Sequence, residues 1–307
     1  MLQYFDNVLA WWLNVGVQIF LFISGYLYGG KYAGKSIKCL DFYKKRLLKI
    51  IVPYYIVMIP AVLLHVFLLG EHLSVFDYLK LILCIDYLKG GEHLWFIIVI
   101  LVNYLLTPLY VLLFNKIKKK FFIPLVLIIA VGLFIVFILP RKICNPAWMI
   151  CYFLGFAYGF NEKKRFFSMK AIHIMIFILA LQNIAQIVNQ YFYTVIKTEG
   201  RIYSLWSDLN HVWLGISLFI LLRFLFTKLR PERSAFLRKV LDISDQYSYE
   251  GYLVHQFIIL GPLSLMALTN SLFVNILIVL CSIVILSFCV KQIENLIFGI
   301  FKRKRKT

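Results

Sequence analysis

The sequence predicts an all-α protein, a polytopic transmembrane helix bundle with about nine spanning helices. Three observations lead to this prediction. Hydrophobic residues make up 62% of the 307 residues and aromatic residues 17%, whereas soluble domains are roughly 45–50% apolar. The apolar residues fall into runs close to the roughly 20 residues that a spanning helix needs. The basic residues cluster in alternate connections between these runs, as they do in multi-pass membrane proteins.

The apolar runs define the predicted helices one by one. The fifth run is short and contains Gly155 and Gly159, which predicts either a broken helix or a closely packed one. The segment Ser74–Leu88 is too polar to span, and we expect it to lie as an amphipathic segment on one membrane face. The nine predicted spans are Val8–Tyr28, Leu47–Leu69, Leu94–Phe114, Phe121–Pro140, Ala147–Phe160, Ala171–Tyr191, Leu209–Phe226, Tyr249–Leu268 and Leu272–Val290.

The basic residues predict the orientation of the chain. With nine spans, 27 of the 33 Lys and Arg residues fall in one set of loops, which is therefore predicted to be cytoplasmic. The C-terminus, with its basic tail 301–307, is then cytoplasmic and Met1 lies outside. Because Met1 to Asn7 offers no signal peptide, we expect one further helix to precede Met1. We expect a single membrane domain over residues 1–307, in a plasma membrane and of bacterial origin.

Two other classes of function are disfavoured by composition. The net charge of +19 is explained by the cytoplasmic loops, and no nucleic-acid-reading motif accompanies it, so we expect no nucleic-acid partner. The six cysteines are scattered without metal-ligand spacing. This pattern predicts reduced, buried thiols and no metal site.

Two histidines are candidate catalytic residues. His93 lies in Glu92–Trp95, where a helix is predicted to enter the membrane from outside, although a solvated acidic loop with an interfacial Trp would look the same. His255 lies inside a predicted span, near its cytoplasmic end, and a His bonded to a neighbouring helix is the alternative to a functional one. These positions predict that the two histidines lie towards opposite membrane faces. We assign no role to Glu250.

The remaining histidines are interpreted as less informative. His65 and His173 are predicted to be structural, with no partner that the sequence identifies. His211 is predicted to lie near an outer helix end, close to Asp208.

A basic segment precedes the second predicted span. Arg46 and Lys49 are three residues apart and share a helix face, and Arg suits phosphate groups. From the residues alone we interpret Lys44 and Lys45 as plain membrane-flanking residues. The Ser24–Gly25 pair interrupts the first apolar run, and a small pair permits close helix packing.

Five of these segments together resemble the acyltransferase-3 family of integral membrane acyltransferases. They cover about 250 residues in the family's order. The segments are VQIFLFISGYLYGG, DFYKKRLLKIIVPYY, EHLWFIIVILVNYLLTPLY, PAWMICYFLGFAYGF and SDQYSYEGYLVHQFII. In this family the Ser–Gly helix is the second one, and the first carries the proposed catalytic His. The resemblance therefore implies that the first helix is missing here.

The resemblance also implies an activity and a set of site residues. The family transfers an acyl group, usually acetyl, from cytoplasmic acyl-CoA to a hydroxyl of a cell-surface glycan, and no metal is implied. Arg46 and Lys49 match the family's Arg-x-x-Arg pattern, with Lys at the second position. The predicted site residues are His93 and His255 as catalytic candidates, Arg46, Lys49 and Lys45 for coenzyme A phosphates, and Ser24, Gly25, Trp95 and Glu92 around the substrate cavity.

Two alternatives remain open at this point. The chain could be a truncated, catalytically inactive acyltransferase-like protein that binds acyl-CoA or a glycan without turnover. It could instead be a glycan or lipid transporter of similar hydropathy. No convincing internal repeat supports the transporter.

Overall fold

The chain is helical throughout the part that the structure describes. The computed structural model describes residues 11–12, 14–116, 146–161, 169–194, 201–230 and 233–303. Within these ranges there are α-helices, one 3₁₀ turn and no strand, which confirms the all-α prediction. The predicted span Phe121–Pro140 and tail residues 304–307 lie outside the described ranges. The helices are α1 Gly16–Tyr32, α2 Cys39–Phe67, α3 Val75–Ile82, α4 Trp95–Lys116, α5 Pro146–Asn161, α6 Met169–Thr194, α7 Arg201–Leu229, α8 Ala235–Ile259 and α9 Leu272–Arg303, and the 3₁₀ turn is Glu92–Leu94.

Four stretches of the described chain are long and apolar enough to cross a membrane. They are Cys39–Phe67, Glu92–Lys116, Trp206–Leu229 and Leu272–Ile300. Each overlaps a predicted span, so the assignment to the membrane class stands. The count of nine spans and the orientation of the termini remain predictions.

The helices differ from the predicted ones in two informative respects, the limits of one helix and the continuity of another. The span predicted as Tyr249–Leu268 is wrong, because α8 runs from Ala235 to Ile259 and Leu260 leaves the helix with an extended backbone. Its first half is polar, so apolar runs in the sequence do not predict it. The run containing Gly155 and Gly159 forms one continuous helix, α5, so the broken-helix alternative is wrong.

The chain divides into two compact units. Unit 1 comprises Met1–Cys39 and Val102–Arg230, and unit 2 comprises Leu40–Leu101 and Pro231–Thr307. The division falls within α4, between Leu101 and Val102. Each unit has its own packing, and each contains some of the predicted site residues.

Glycines hold α1 against α5 in unit 1. A Cβ added at Gly25 would collide with the Tyr152 carbonyl, and one added at Gly155 would collide with the Phe22 carbonyl. Gly29 and Gly159 repeat these contacts one turn further along. Only glycine lets the two backbones approach this closely, so the predicted role of Gly25 in close packing is confirmed.

Unit 2 is built on α2, α8 and α9. Val254 and Ile258 of α8 form a buried cluster with Val279 and Val290 of α9, and α2 packs on this cluster through Ile56 and Val57. The short helix α3 begins with a capping box between Ser74 and Asp77. It is held to α2 by hydrogen bonds that the Tyr54 and Tyr55 hydroxyls donate to the Leu81 and Ile82 carbonyls.

Candidate functional site

The two candidate histidines lie side by side in unit 2. The imidazole rings of His93 and His255 are 4.7 Å apart between centroids, in an edge-to-face arrangement. The sequence predicted that they lie towards opposite membrane faces, and that prediction is wrong. Because α8 begins at Ala235, His255 is about 30 Å along the helix and close to its C-terminal end, where the loop carrying His93 docks.

Hydrogen bonds determine which ring nitrogens carry protons. His93 Nε2 faces the Leu253 carbonyl at 3.3 Å, and His255 Nδ1 faces the Tyr252 carbonyl at 2.7 Å. A carbonyl oxygen only accepts, so each of these nitrogens is the donor. In a neutral imidazole the other nitrogen then has a lone pair. His93 Nδ1 and His255 Nε2 are therefore the basic nitrogens of the pair, and His93 Nδ1 is buried without a hydrogen-bond partner.

Backbone and side-chain contacts fix the His93 loop on the end of α8. The Gln256 amide oxygen accepts from His93 N at 3.1 Å, and its NH₂ donates to Glu92 Oε2 at 3.4 Å. The other Glu92 oxygen accepts from Gly90 N at 3.1 Å. The Tyr252 hydroxyl donates to the His93 carbonyl. Glu92 thus stabilises the loop through both carboxylate oxygens, and its exposed side chain lies beside the His93–His255 pair.

Two glycines allow the loop to reach this position. Gly90 and Gly261 both have positive φ, of 82° and 81°, a conformation that costs glycine little. A Cβ on Gly90 would lie 2.7 Å from the Leu260 carbonyl oxygen, and one on Gly261 would lie 2.6 Å from Gly90 Cα. The close approach of these two backbones places His93 against His255.

The basic candidates lie on the same side of unit 2 as the start of α8. Lys45 and Lys49 are exposed and Arg46 is half-buried, all in the first turns of α2. The Tyr249 hydroxyl donates to the Ile50 carbonyl at 2.9 Å, so the residue that follows Lys49 lies beside Tyr249. The His pair is then about 9 Å further along α8, at 1.5 Å per residue.

Glu250 belongs to a buried ion cluster that the sequence did not identify. Lys291 Nζ lies 2.9 Å from Glu250 Oε1 and 2.8 Å from Glu294 Oε2. The side chains of Glu250 and Glu294 are only 2% and 5% exposed, and Glu250 Oε2 has no partner. One ammonium is therefore shared by two buried carboxyl groups between α8 and α9. The i, i+3 spacing of Lys291 and Glu294 could have predicted an ion pair between these two residues. Their contact with Glu250 of α8 could not be predicted from the sequence.

The remaining cavity candidates are divided between the units. Trp95 starts α4 in unit 2 and is half-buried, with its ring 6.5 Å from that of Phe96. Ser24 and Gly25 are buried in unit 1, and Gly25 belongs to the α1–α5 contact described above.

Unit 1 contains a second polar cluster. His211 lies about 15 Å into α7, buried and stacked on Trp11 at 4.5 Å, so its predicted place at a helix end is wrong. Its Nδ1–H donates to the Gln18 amide oxygen at 3.2 Å, and its Nε2 has no partner. On α6, Gln182, Gln186 and Asn189 are all buried on one face. Their spacing of four and three residues was the sequence signal that could have identified this face.

His65 has a partner that the sequence did not identify. Its Nδ1 lies 2.9 Å from Glu71 Oε2, and Glu71 Oε1 lies 3.7 Å from Lys89 Nζ. The hydrogen bond from His65 holds the pKa of Glu71 below its usual range. The pair closes the turn that follows α2, because Glu71 N also donates to the His65 carbonyl at 3.1 Å. Among the described residues no group of three His, Cys, Asp or Glu side chains could hold a metal ion.

Helices able to cross a membrane, with paired histidines and a basic turn within one unit, define a class: a membrane protein with a candidate catalytic histidine pair. A family model described as an acyltransferase domain, that of the acyltransferase-3 family, matches residues 3–291. The chain belongs to the acyltransferase-3 family. No curated protein and no solved structure shows a significant match to it.

Proposed function

We propose that the protein is an O-acyltransferase that moves an acyl group, most simply acetyl, from cytoplasmic acyl-CoA to a hydroxyl of a cell-surface glycan at a bacterial plasma membrane. The observation that carries this proposal is the His93–His255 pair, with its two basic nitrogens, in a member of the acyltransferase family. A hydroxyl nucleophile needs a general base near neutral pH, and a neutral imidazole suits that task.

In the proposed reaction His255 Nε2 takes the proton of the acceptor hydroxyl. The hydroxyl oxygen forms a bond to the thioester carbonyl carbon, the carbon–sulfur bond breaks, and the coenzyme A thiolate leaves with the proton that His255 Nε2 had taken up. The His93 ring packs edge-to-face on His255 and orients it. The Tyr252 carbonyl, which accepts from His255 Nδ1, keeps the proton on that nitrogen and the lone pair on the other.

The basic turn of α2 is proposed to bind the coenzyme A phosphates. Lys49 precedes Ile50, whose carbonyl accepts from Tyr249, and Tyr249 lies about 9 Å along α8 from His255. Arg46 and Lys45 lie about one turn earlier in α2. Donor phosphates bound there would let the pantetheine arm extend along α8 towards His255. Trp95 and Glu92 are proposed to line the acceptor side of the pair, and Ser24 and Gly25 remain candidates for lining a substrate cavity. No metal is used.

The proposal is tested by acyl transfer from radiolabelled acetyl-CoA to membrane carbohydrate in cells expressing the protein. Arg46→Ala is expected to abolish incorporation while the protein still inserts, and Lys44→Ala, its exposed neighbour, serves as the matched control. Incorporation by Arg46→Ala at the wild-type rate would show the phosphate assignment to be wrong. Absence of coenzyme A binding by the wild-type protein would contradict the acyltransferase proposal itself.

A catalytically inactive binding protein is the second candidate. Coenzyme A binding without any acyl transfer would select it. Transport of a glycan or lipid without acetyl-CoA consumption would select the transporter instead.

A further inference from the structure

A cavity of about 750 Å³ lies within unit 1, between the loop that follows α1 and the last turns of α4. Its volume is within the range of small-molecule sites. Lys35, Ser36 and Lys116 supply polar groups, and Leu109 and Leu112 form an apolar wall. None of these residues belongs to the candidate site in unit 2.

Asn115 holds the loop in place beside the end of α4. Its Oδ1 accepts from Gly34 N at 3.0 Å, and its Nδ2 donates to the Lys35 carbonyl at 2.9 Å. Gly34 has a φ of 70°, which lets the chain turn there at little cost. The loop backbone is therefore preorganised, and binding a ligand at Lys35 would cost little backbone ordering.

The polar end of the cavity is positively charged. Lys35 and Lys116 are both exposed, and no carboxylate in the described part of the chain forms an ion pair with either. Two ammonium groups beside one cavity, with no ion-pair partner among the described residues, favour an anion. The loop is among those predicted to be cytoplasmic, where anionic lipid headgroups concentrate.

The apolar end continues along a membrane helix. Leu105, Leu109 and Leu112 follow a spacing of four and three residues, lie on one face of α4 and are each about half exposed. They belong to a stretch that is apolar enough to cross a bilayer. A ligand with an anionic head and a long apolar chain would match both ends of this surface.

We propose that this cavity binds the phosphate headgroup of an anionic phospholipid, with Lys35 and Lys116 as its counter-charges and the Leu105–Leu112 face along its acyl chains. Basic pockets at the cytoplasmic ends of membrane helices bind such headgroups. The site goes beyond the proposed acyl transfer and does not depend on it. An acyl-CoA shares the same chemistry, and the experiment separates the two.

The test is native mass spectrometry of the full-length protein, purified from nanodiscs of phosphatidylcholine with or without phosphatidylglycerol. The wild-type protein is expected to retain one phosphatidylglycerol in preference to phosphatidylcholine. Lys35→Gln/Lys116→Gln is expected to bind it roughly thirtyfold more weakly, at about 1 kcal/mol for each basic residue. Lys35→Arg/Lys116→Arg should restore binding, which shows that the Gln variant has not lost it by misfolding. Lys228→Gln/Lys239→Gln removes the same charge elsewhere and should bind as the wild type does.

Three results would overturn the proposal. The first is equal retention of phosphatidylcholine and phosphatidylglycerol by the wild-type protein. The second is unchanged phosphatidylglycerol binding in the Gln variant. The third is displacement of the lipid from the wild-type protein by palmitoyl-CoA in a manner that needs Lys35 and Lys116, because the cavity would then belong to the acyl donor.

Discussion

His93 and His255 come from distant parts of the chain, yet their rings pack edge to face with centroids 4.7 Å apart. Each ring donates one proton to a carbonyl of α8 and keeps one basic nitrogen. His255 is half-buried and His93 is buried. The more open ring is therefore the one placed to meet a substrate, and the buried ring supports it.

Replacing either histidine should remove most of the activity. His255→Gln is expected to lower the rate of acyl transfer by about 10²–10⁴-fold, the usual contribution of a general base. His93→Gln should lower it as well, and the double variant should be little worse than His255→Gln alone because the two act as a unit. His72→Gln changes an exposed histidine and is the control. Wild-type rates in both single variants would remove the pair from the mechanism.

Lys49→Arg tests whether the basic turn binds the coenzyme A phosphates. Unlike Arg46→Ala, it is expected to strengthen binding. Arg presents a planar fork that binds phosphate through two hydrogen bonds, whereas Lys offers a point charge. The variant is expected to lower the KM for acetyl-CoA severalfold with little change in kcat. Lys44→Arg is the control, since its exposed side chain is not placed at the site. An unchanged KM would indicate that position 49 does not contact the donor.

The Glu250–Lys291–Glu294 cluster predicts a specific pattern of stability. Lys291→Met is expected to destabilise the protein by about 3–5 kcal/mol, because it leaves buried carboxyl groups without their cation. Adding Glu250→Gln should recover part of that loss in thermal unfolding, since it removes one buried charge. Lys239→Met at an exposed site is the control. If Lys291→Met unfolds at the wild-type temperature, the cluster does not stabilise the α8–α9 contact.

The glycine contact between α1 and α5 should tolerate no side chain. Gly25→Ala is expected to prevent the close approach of α1 to the Tyr152 carbonyl and to lower the unfolding temperature. Gly299→Ala, where a Cβ would meet nothing within 4 Å, should be neutral or slightly stabilising. Equal unfolding temperatures for the two variants would show that the helices can separate at no cost.

The His65–Glu71 pair predicts a pH dependence of stability. Because the pKa of Glu71 is lowered in the folded protein, its contribution is complete above the unfolded pKa of about 4.3. It is lost as the pH falls through the lower, folded value. The difference in unfolding temperature between wild type and Glu71→Gln should therefore be constant near pH 7 and shrink below about pH 4. Asp242→Asn is the exposed control, and a difference that does not change with pH would exclude this linkage.

The membrane class and several spans were predictable because burial in lipid requires long apolar runs. The predicted Leu94–Phe114 corresponds to α4, Trp95–Lys116, and Leu272–Val290 lies within α9. The limits of α8 were not predictable in this way. Its first half is polar, and its end is decided by the docking of Gly90 on Gly261, which depends on a segment far away in the chain.

The amino-acid sequence by itself determined the membrane class, the family and the basic turn of α2, because composition, short motifs and charge are local properties. The tertiary structure alone decided which polar groups meet. It placed His93 beside His255, Lys291 between Glu250 and Glu294, and Glu71 on His65. These pairings depend on helix ends and on the close approach of backbones at glycines. Neither is set by the hydropathy of the residues concerned.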